Sequence, residues 1–563
     1  MKKVLSLILF LSLIFSYGVL AVSAAEDELI INVATDIHLN NAWEKPIPVR
    51  NNTDGAYSHV ASQGKLNSES KAIIAAFLDN AAKDKSEVVL IPGDLADYGL
   101  ESEMEDVAEM LAEFEKNTGK QVYVIPGNHD VSKSSVSLFM KSFAEFGYNE
   151  ATVRDENSAS YVAELPDGYR LLAIDSTLQG SGKCGISGAR LEWIRQQAQQ
   201  AKKDGKKTIA MMHHNLMTHL VIIGLFHPSS VVSDSLGLKE LFAECGIKYI
   251  FTGHTHTNDI ASYTTENGEV IYDIVTSSLN VYPCSYRTVT FGDKVEIKTS
   301  NVDKIVASDV PTGMSDEAFE LMSTDFNKYA KVCAELGLEN EINGMLEDAD
   351  FFKKTLNVTD ESAPEISAVL DEITPKLKEV LNMPLYAEDE TEEGKSIESI
   401  LASYKVTIPD SKYYDVMSIA IEIYNRHNAG DEKLNAYSNE VVLASKGIGA
   451  VLAYALSDVS TEQYTQVLTF LCDFVKVELP KDFLSHISTQ IDRFEGIELV
   501  VSTAILPLML KVTVDEAPGD LNVTLPGYAE LIEAPEAEKT FWEKVQEFFI
   551  GIFEFIMSLF AFM

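Results

Sequence analysis

LIINVATD (29–36), VVLIPGD (88–94), VYVIPGN (122–128), YRLLAID (169–175), KTIAMMHH (207–214) and KYIFTGH (248–254) are six short apolar runs, and each closes on a polar residue or a pair of them. Continuous apolar runs of this length are what strands buried on both faces look like, because neither face of a parallel sheet covered by helices meets water. Helix-period stretches lie between them, at about 66–84, 101–117, 134–146 and 188–204. After Gly253 the pattern shifts to shorter strands at 258–264, 269–277, 285–291 and 294–299. This alternation predicts an α/β unit over residues 28–300, two sheets packed face to face with helices outside, an αββα sandwich.

On the C-terminal side, SNVDKIVASDVPTGMSDE (300–317) reads as a boundary. From 315 to 513 the apolar spacing is helical, at 315–335, 366–381, 395–404, 411–427, 432–456, 460–476 and 481–498, which predicts an all-α C-terminal domain. No repeat of fixed period runs through it, so a solenoid is excluded. AEDETEEGKS (387–396) reads as a solvated acidic loop. The segment FWEKVQEFFIGIFEFIMSLFAFM (541–563) is rich in Phe and short for a spanning helix, which needs about 20 apolar residues. It is expected to lie in a membrane interface, to dock on the protein or a partner, or to act as a tail anchor.

On the N-terminal side, Lys2 and Lys3 precede an apolar run to about Val22, followed by Ser23, Ala24 and Ala25. That is the pattern of a secretory signal peptide over 1–24, the alternative being an uncleaved anchor. A secreted or cell-envelope protein is therefore expected.

The 563 residues are too many for one core, and an apolar fraction of 46% is that of a folded chain. A formal charge of −41 repels nucleic-acid backbones and excludes a duplex partner. It also repels anionic substrates, so any phosphate chemistry needs a strong local positive centre, which metal ions supply. Five cysteines, 184, 245, 284, 333 and 472, are scattered without a CxxC and read as buried thiols rather than a disulfide framework. Oligomeric state is not legible.

Five motifs sit at the ends of the apolar runs: Asp36-Ile37-His38, Gly93-Asp94-Leu95-Ala96-Asp97, Gly127-Asn128-His129-Asp130, His213-His214 and Gly253-His254-Thr255-His256. Ligands of open α/β sheets bind at strand ends. Each motif alone is weak; a lone His pair is more often a hydrogen-bonded core pair than a metal site. Together they gather six of the eleven histidines, and their oxygen and imidazole donors without thiolate suit Mn, Fe or Zn. His59, His219 and His227 lie in loops where a substrate contact or a hydrogen-bonded role is open, and His427 and His486 receive no role. GxSxG, GxxxxGK[ST] and HExxH are absent.

This order resembles the calcineurin-like metallophosphoesterase superfamily over about residues 29–300, most of all its secreted cyclic-nucleotide phosphodiesterase-type members. Ala173-Ile174-Asp175-Ser176 followed by Gly188 to Trp193 is similar to the stretch before the family's fourth motif. The resemblance implies two divalent cations, one held by Asp36, His38, Asp94 and His256 and the other by Asp94, Asn128, His213 and His254, with Asp94 shared. It implies hydrolysis by metal-hydroxide attack, with His129 contacting phosphate or protonating the leaving oxygen and Asp97 orienting His129. Three positions depart from the pattern. Asn215 stands where a Pro is usual, so that His214 rivals His213, although the family ligand is the first of such a pair. Tyr98 and Asp130 replace the Arg and Glu of protein phosphatases, which disfavours that activity.

The expected function is a secreted phosphodiesterase acting on small phosphoesters, cyclic nucleotides among them. Two alternatives stand: an envelope phosphomonoesterase or cell-wall or lipid phosphoesterase, which the Phe-rich tail suggests, and a non-catalytic surface-binding protein whose helical half does the work. The helical half could be a lid, a dimerisation unit or a partner-binding module.

Overall fold

The computed structural model describes residues 28–41, 62–219, 228–310, 314–356, 358–361, 363–387, 396–430, 432–474, 493–513 and 517–528. The signal-peptide segment, the tail at 541–563, most of the acidic loop at 387–396, and His59, His227 and His486 lie outside the described residues.

The strands are β1 Leu29–Val33, β2 Val88–Ile91, β3 Gln121–Val124, β4 Val153–Arg154, β5 Tyr161–Glu164, β6 Tyr169–Ile174, β7 Thr177–Leu178, β8 Ser181–Cys184, β9 Lys207–Met212, β10 Tyr249–Thr252, β11 Asp259–Thr264, β12 Val270–Val275, β13 Ser285–Phe291, β14 Lys294–Asn301 and β15 Asn522–Pro526. Six form one sheet in the order β15-β14-β13-β1-β2-β3, and seven form the other in the order β11-β12-β10-β9-β6-β5-β4. Both sheets are mixed. β1, β2 and β3 run parallel in the first, and β6, β9, β10 and β12 in the second, with antiparallel strands outside. One apolar core joins the inner faces, with Ile31, Val33 and Leu90 from the first sheet and Tyr161, Phe251 and Ile274 from the second. The αββα expectation holds for the α/β unit.

The helices Ser70–Lys83, Glu101–Thr118, Val136–Ser142, Gly188–Asp204 and Leu238–Cys245 flank the sheets. The expected helix at 134–146 is shorter, because the chain passes at 144–148 into a wide turn in which Gly147 has φ 104°. The 315–335 stretch is two helices, Asp316–Thr324 and Phe326–Met345. The Asp325 side chain accepts from the Lys328 N–H and starts the second.

The helices from Pro364 to Thr513 build a second core of their own around Val369, Ile419, Val441 and Leu468. The all-α character of this region stands, but the chain does not leave the sandwich behind it. After the helices it returns as β15, which pairs antiparallel with β14 from Lys298↔Asn522 to Lys294↔Pro526. All five cysteines are free thiols. No helix among the described residues is long and apolar enough to cross a membrane.

Candidate metal centre

Every candidate ligand follows the C-terminal end of a parallel strand: Asp36 and His38 after β1, Asp94 after β2, Asn128 after β3, His213 after β9, and His254 and His256 after β10. Because the two sheets face each other, the ends of five strands meet at one place. The loops continue the strand pairing, with Asp36 N donating to Gly93 O (3.1 Å), His38 N to Asp94 O (3.0 Å) and Gly253 N to His213 O (3.1 Å).

Ten non-glycine residues among those described have φ in the left-handed region, and five are Asp36, His38, Asp94, His254 and His256. Such backbone is costly for residues with a Cβ and persists where function requires it. Gly127 is needed for another reason: a Cβ there would run into the Asp94 carboxylate and backbone.

The side chains form two overlapping groups. In the first, His38 Nε2 lies 3.1 Å from His256 Nε2 and 3.9 Å from Asp94 Oδ2, and His256 Nε2 lies 3.2 Å from Asp36 Oδ1. In the second, His213 Nε2 lies 3.0 Å from Asn128 Oδ1, 3.2 Å from His254 Nδ1 and 3.3 Å from Asp94 Oδ2. Neighbouring donors around one ion about 2.0–2.2 Å away stand roughly 3.0–3.5 Å apart, so both groups fit a divalent cation, and Asp94 belongs to both. Nitrogen and oxygen donors without sulfur suit Mn, Fe or Zn.

Electrostatics agree with that fit. Asp36 and Asp94 are buried, which favours their neutral forms, yet the neighbouring histidines hold both carboxyls below the usual range. Burial opposes charge on His213, but the Asp94 carboxylate beside it lifts its pKa to about 9, so a cation bound here has to displace a proton from this ring. Burial, followed by the charge of Lys65, lowers His38 to about 3 and so keeps it in the neutral form a ligand needs.

The His213–His214 alternative resolves geometrically. His213 Nδ1 faces Pro92 O (3.0 Å), which turns Nε2 to the cluster. His214 is turned away, Nδ1 to Ser176 Oγ (2.9 Å) and Nε2 toward Gly182 O (3.3 Å). Asn215, in the place of a Pro, donates to Thr252 Oγ1 (2.9 Å) and Gly253 O (3.0 Å), tying the β9 loop to the β10 loop.

His129 sits edge-on to His38 with ring centroids 4.7 Å apart, and its side chain is 36% exposed where His38 and His213 are sealed. It is more open to an incoming molecule than His256, whose side chain is 13% exposed. Its Nδ1 bonds the main-chain carbonyl of Asp97 (2.6 Å), with the carboxylate 3.8 Å away. The expected carboxylate–His129 contact is thus a carbonyl contact, because the Asp97 carboxylate is occupied elsewhere. Oδ1 lies 2.8 Å from Lys65 Nζ and 3.3 Å from His38 Nδ1, and Oδ2 accepts from Asn40 Nδ2 at 2.9 Å. Burial works against its ionisation, but the His38 hydrogen bond and the Lys65 charge hold it well below the usual range. Asp130 serves as a strut: its carboxylate accepts from Ala96 N and Gly127 N, both at 2.8 Å, and locks two ligand loops together.

His219 is no substrate contact. It is buried between Asp259 (Nδ1 to Oδ2, 2.8 Å) and Asp273 (Nε2 to Oδ2, 3.0 Å). His427 is buried against Glu432. The sequence reading missed Lys65 and Asn40, which belong to no motif. It also missed Thr257 and Asn258, which follow His256 and cap the end of the Val416–Ala429 helix: Thr257 Oγ1 donates to His427 O (2.9 Å), and Asn258 N to Asn428 O (3.1 Å).

Comparison with known proteins agrees with this architecture. The family model for calcineurin-like phosphoesterases matches residues 30–258, from β1 to just past His256. A probable glycerophosphodiester phosphodiesterase of Arcobacter nitrofigilis is 31% identical over 210 residues, 35% of this chain and 69% of that one. A probable cyclic nucleotide phosphodiesterase of Rhodococcus erythropolis is 22% identical over 212 residues, 37% of this chain and 64% of that one, so less than two thirds of its length is spanned. Among solved structures, a dimetal phosphatase from Danio rerio superposes with a TM-score of 0.36 at 11% identity, over 49% of this chain and 96% of its own. The family-model match takes in all of the ligand loops, and with the 31% identical relative it shows that the chain belongs to the calcineurin-like phosphoesterase family.

Proposed function

We propose that this protein is a phosphodiesterase that holds two divalent cations, Mn, Fe or Zn, in the Asp36/His38/Asp94/His256 and Asp94/Asn128/His213/His254 groups and hydrolyses small phosphodiesters. The observation that carries the reading is the convergence of these seven donors from five strand ends at spacings of 3.0 to 3.9 Å, with Asp94 common to both groups. Cations bound there supply positive charge for the phosphate oxygens and a nucleophile at neutral pH. The chain's own residues do the rest. The Asp97 carbonyl fixes Nδ1 of His129, so the opposite ring nitrogen can deliver a proton to the leaving oxygen.

Two features favour a diester. Lys65, a basic side chain that the described residues place beside the cluster, gives its ammonium to Asp97 and so is not offered to a phosphate dianion. The curated relatives bear phosphodiesterase names, one for glycerophosphodiesters and one for cyclic nucleotides. We propose export from the cytoplasm on the pattern of residues 1–25.

The test is hydrolysis of bis-p-nitrophenyl phosphate against p-nitrophenyl phosphate by metal-stripped protein with Mn, Fe, Zn or Mg restored. Metal-dependent diester cleavage is expected, falling by about 1000-fold or more in Asp94→Ala, on the scale of losing an essential transition-state contact. A preference for the monoester would move the assignment to a phosphatase.

A further inference from the structure

Lys65 is a buried lysine with its Nζ 2.8 Å from Asp97 Oδ1 and 3.4 Å from His38 Nδ1. Asp97 is the hub of the site. Its carboxylate faces the ring of one candidate ligand, His38, while its carbonyl holds His129, the exposed imidazole. A carboxylate placed behind a ligating histidine fixes the ring and its tautomer. A carboxylate with several lone pairs and one ring N–H to accept is not itself held by that bond. Asn40 on Oδ2 and Lys65 on Oδ1 supply the remaining anchors.

The position of Lys65 is in turn set by the helical half. Gln63 and Gly64, both in left-handed backbone, lie against the Phe326–Met345 helix, so close that a Cβ on Gly64 would overlap the backbone of Ala334. The same helix holds the far side of this segment through Tyr329, whose hydroxyl bonds Glu69. Lys65 thus reaches the site from a loop clamped by an element outside the α/β unit.

We propose that Lys65 is a positioning residue of the phosphoesterase site. It pins the Asp97 carboxylate and thereby sets both the His38 ring and the His129 ring, and the Phe326–Met345 helix holds it in place. The helical half then acts on catalysis as a brace behind the ligand loops.

The inference rests on the proposed metal occupancy, so wild-type protein is the first control. Metal-stripped wild type, Lys65→Met, Lys65→Gln, Asp97→Asn and the Lys65→Met/Asp97→Asn double variant are titrated with Mn2+ by calorimetry. They are then assayed on bis-p-nitrophenyl phosphate, with melting temperatures measured beside them. Both Lys65 variants are expected to bind at least one Mn2+ about 10–100-fold more weakly, the usual cost of losing an outer-shell partner. Their kcat falls more than KM rises; the metal-free variants melt at a lower temperature than wild type, because a buried ion pair is broken, but still unfold in one cooperative transition. In the double variant the loss is expected to match that of Asp97→Asn alone, because Lys65 acts through Asp97. Wild-type Mn2+ affinity and kcat in either folded Lys65 variant would overturn the inference, as would losses that add in the double variant. Failure of the wild type to bind Mn2+, Fe2+ or Zn2+ in the same titration would instead sink the metal-centre reading itself.

Discussion

His213 and His214 are adjacent, both fully buried, and chemically identical, yet their surroundings assign them opposite work. His213 has a carbonyl behind it and carboxylate, amide and imidazole donors in front. His214 has a hydroxyl and a carbonyl on its two nitrogens, and burial followed by the charges of His254 and His213 lowers its pKa far below the usual range. His213→Ala is expected to weaken metal binding by more than the roughly 10–100-fold typical of an outer-shell loss. His214→Gln should leave metal affinity within a fewfold and show its effect in the melting temperature. Mn2+ titration of the two variants separates them, and equal losses in both would contradict the geometry. The family resemblance favours His213, but the residues by themselves do not show why, since what separates the pair is Ser176 and Gly182, dozens of residues away. The seven candidate ligands stand out in the sequence because each ends an apolar run or follows such an end by two residues. Lys65 was not, because a lysine after a glycine in a loop carries no pattern until the Phe326–Met345 helix is seen pressing on that loop.

Among the elements, the parallel strands were the easiest to read, since their burial on both faces leaves unbroken runs such as VVLI in β2. The short β4 and β5 escaped notice. β4 is two exposed residues, and β5 borders a turn-rich stretch, so neither shows a long run or a clear alternation. The Leu238–Cys245 helix is only eight residues, about two turns, and offers too little periodicity to register.

β11 and β12 are fastened to the loop after β9 by His219 between Asp259 and Asp273. Burial opposes charge on this histidine, but the two carboxylates raise its pKa to about 10. A raised histidine pKa contributes stability in full below the unfolded value of about 6.5, and that contribution is lost as pH climbs toward 10. Wild-type melting temperature is therefore expected to fall between pH 7 and pH 10 more steeply than that of His219→Gln. At pH 7 the variant should be less stable by about 3–5 kcal/mol, the cost of breaking a buried pair. Parallel pH profiles for the two proteins would show that His219 is neutral in the fold.

The whole molecule departs from the sequence reading in one respect: the helices are not an appendage. Among the contacts that join them to the sandwich, Tyr329 meets Glu69, Asn327 donates to Asp303, and the end of the Val416–Ala429 helix is capped by Thr257 and Asn258; past the helices, Arg287 donates to Asp520 O. β15 was missed because NVTLP has no apolar run and only one buried residue. A chain stopped after residue 310 retains all seven candidate ligands but loses these contacts and leaves the edge of β14 unpaired. It is expected to aggregate or to melt at least about 10 °C lower, at roughly 2–4 °C per kcal/mol for a unit of this size. A soluble, fully active 1–310 fragment would contradict the brace.

The pairing of β15 with β14 has a consequence for how the protein comes into being. Thr299 and Leu521, hydrogen-bonded across that seam, are separated by 222 positions. During synthesis the ligand loops are made within the first half of the chain, but the sheet that carries three of them stays open at one edge until the helices have been made and the return strand arrives. A late, long-range closure of this kind is slow relative to local folding. The helical half is therefore an interruption within one sheet in the order of assembly, and a chain cut short anywhere inside it leaves the ribosome with every catalytic candidate present and the scaffold unfinished.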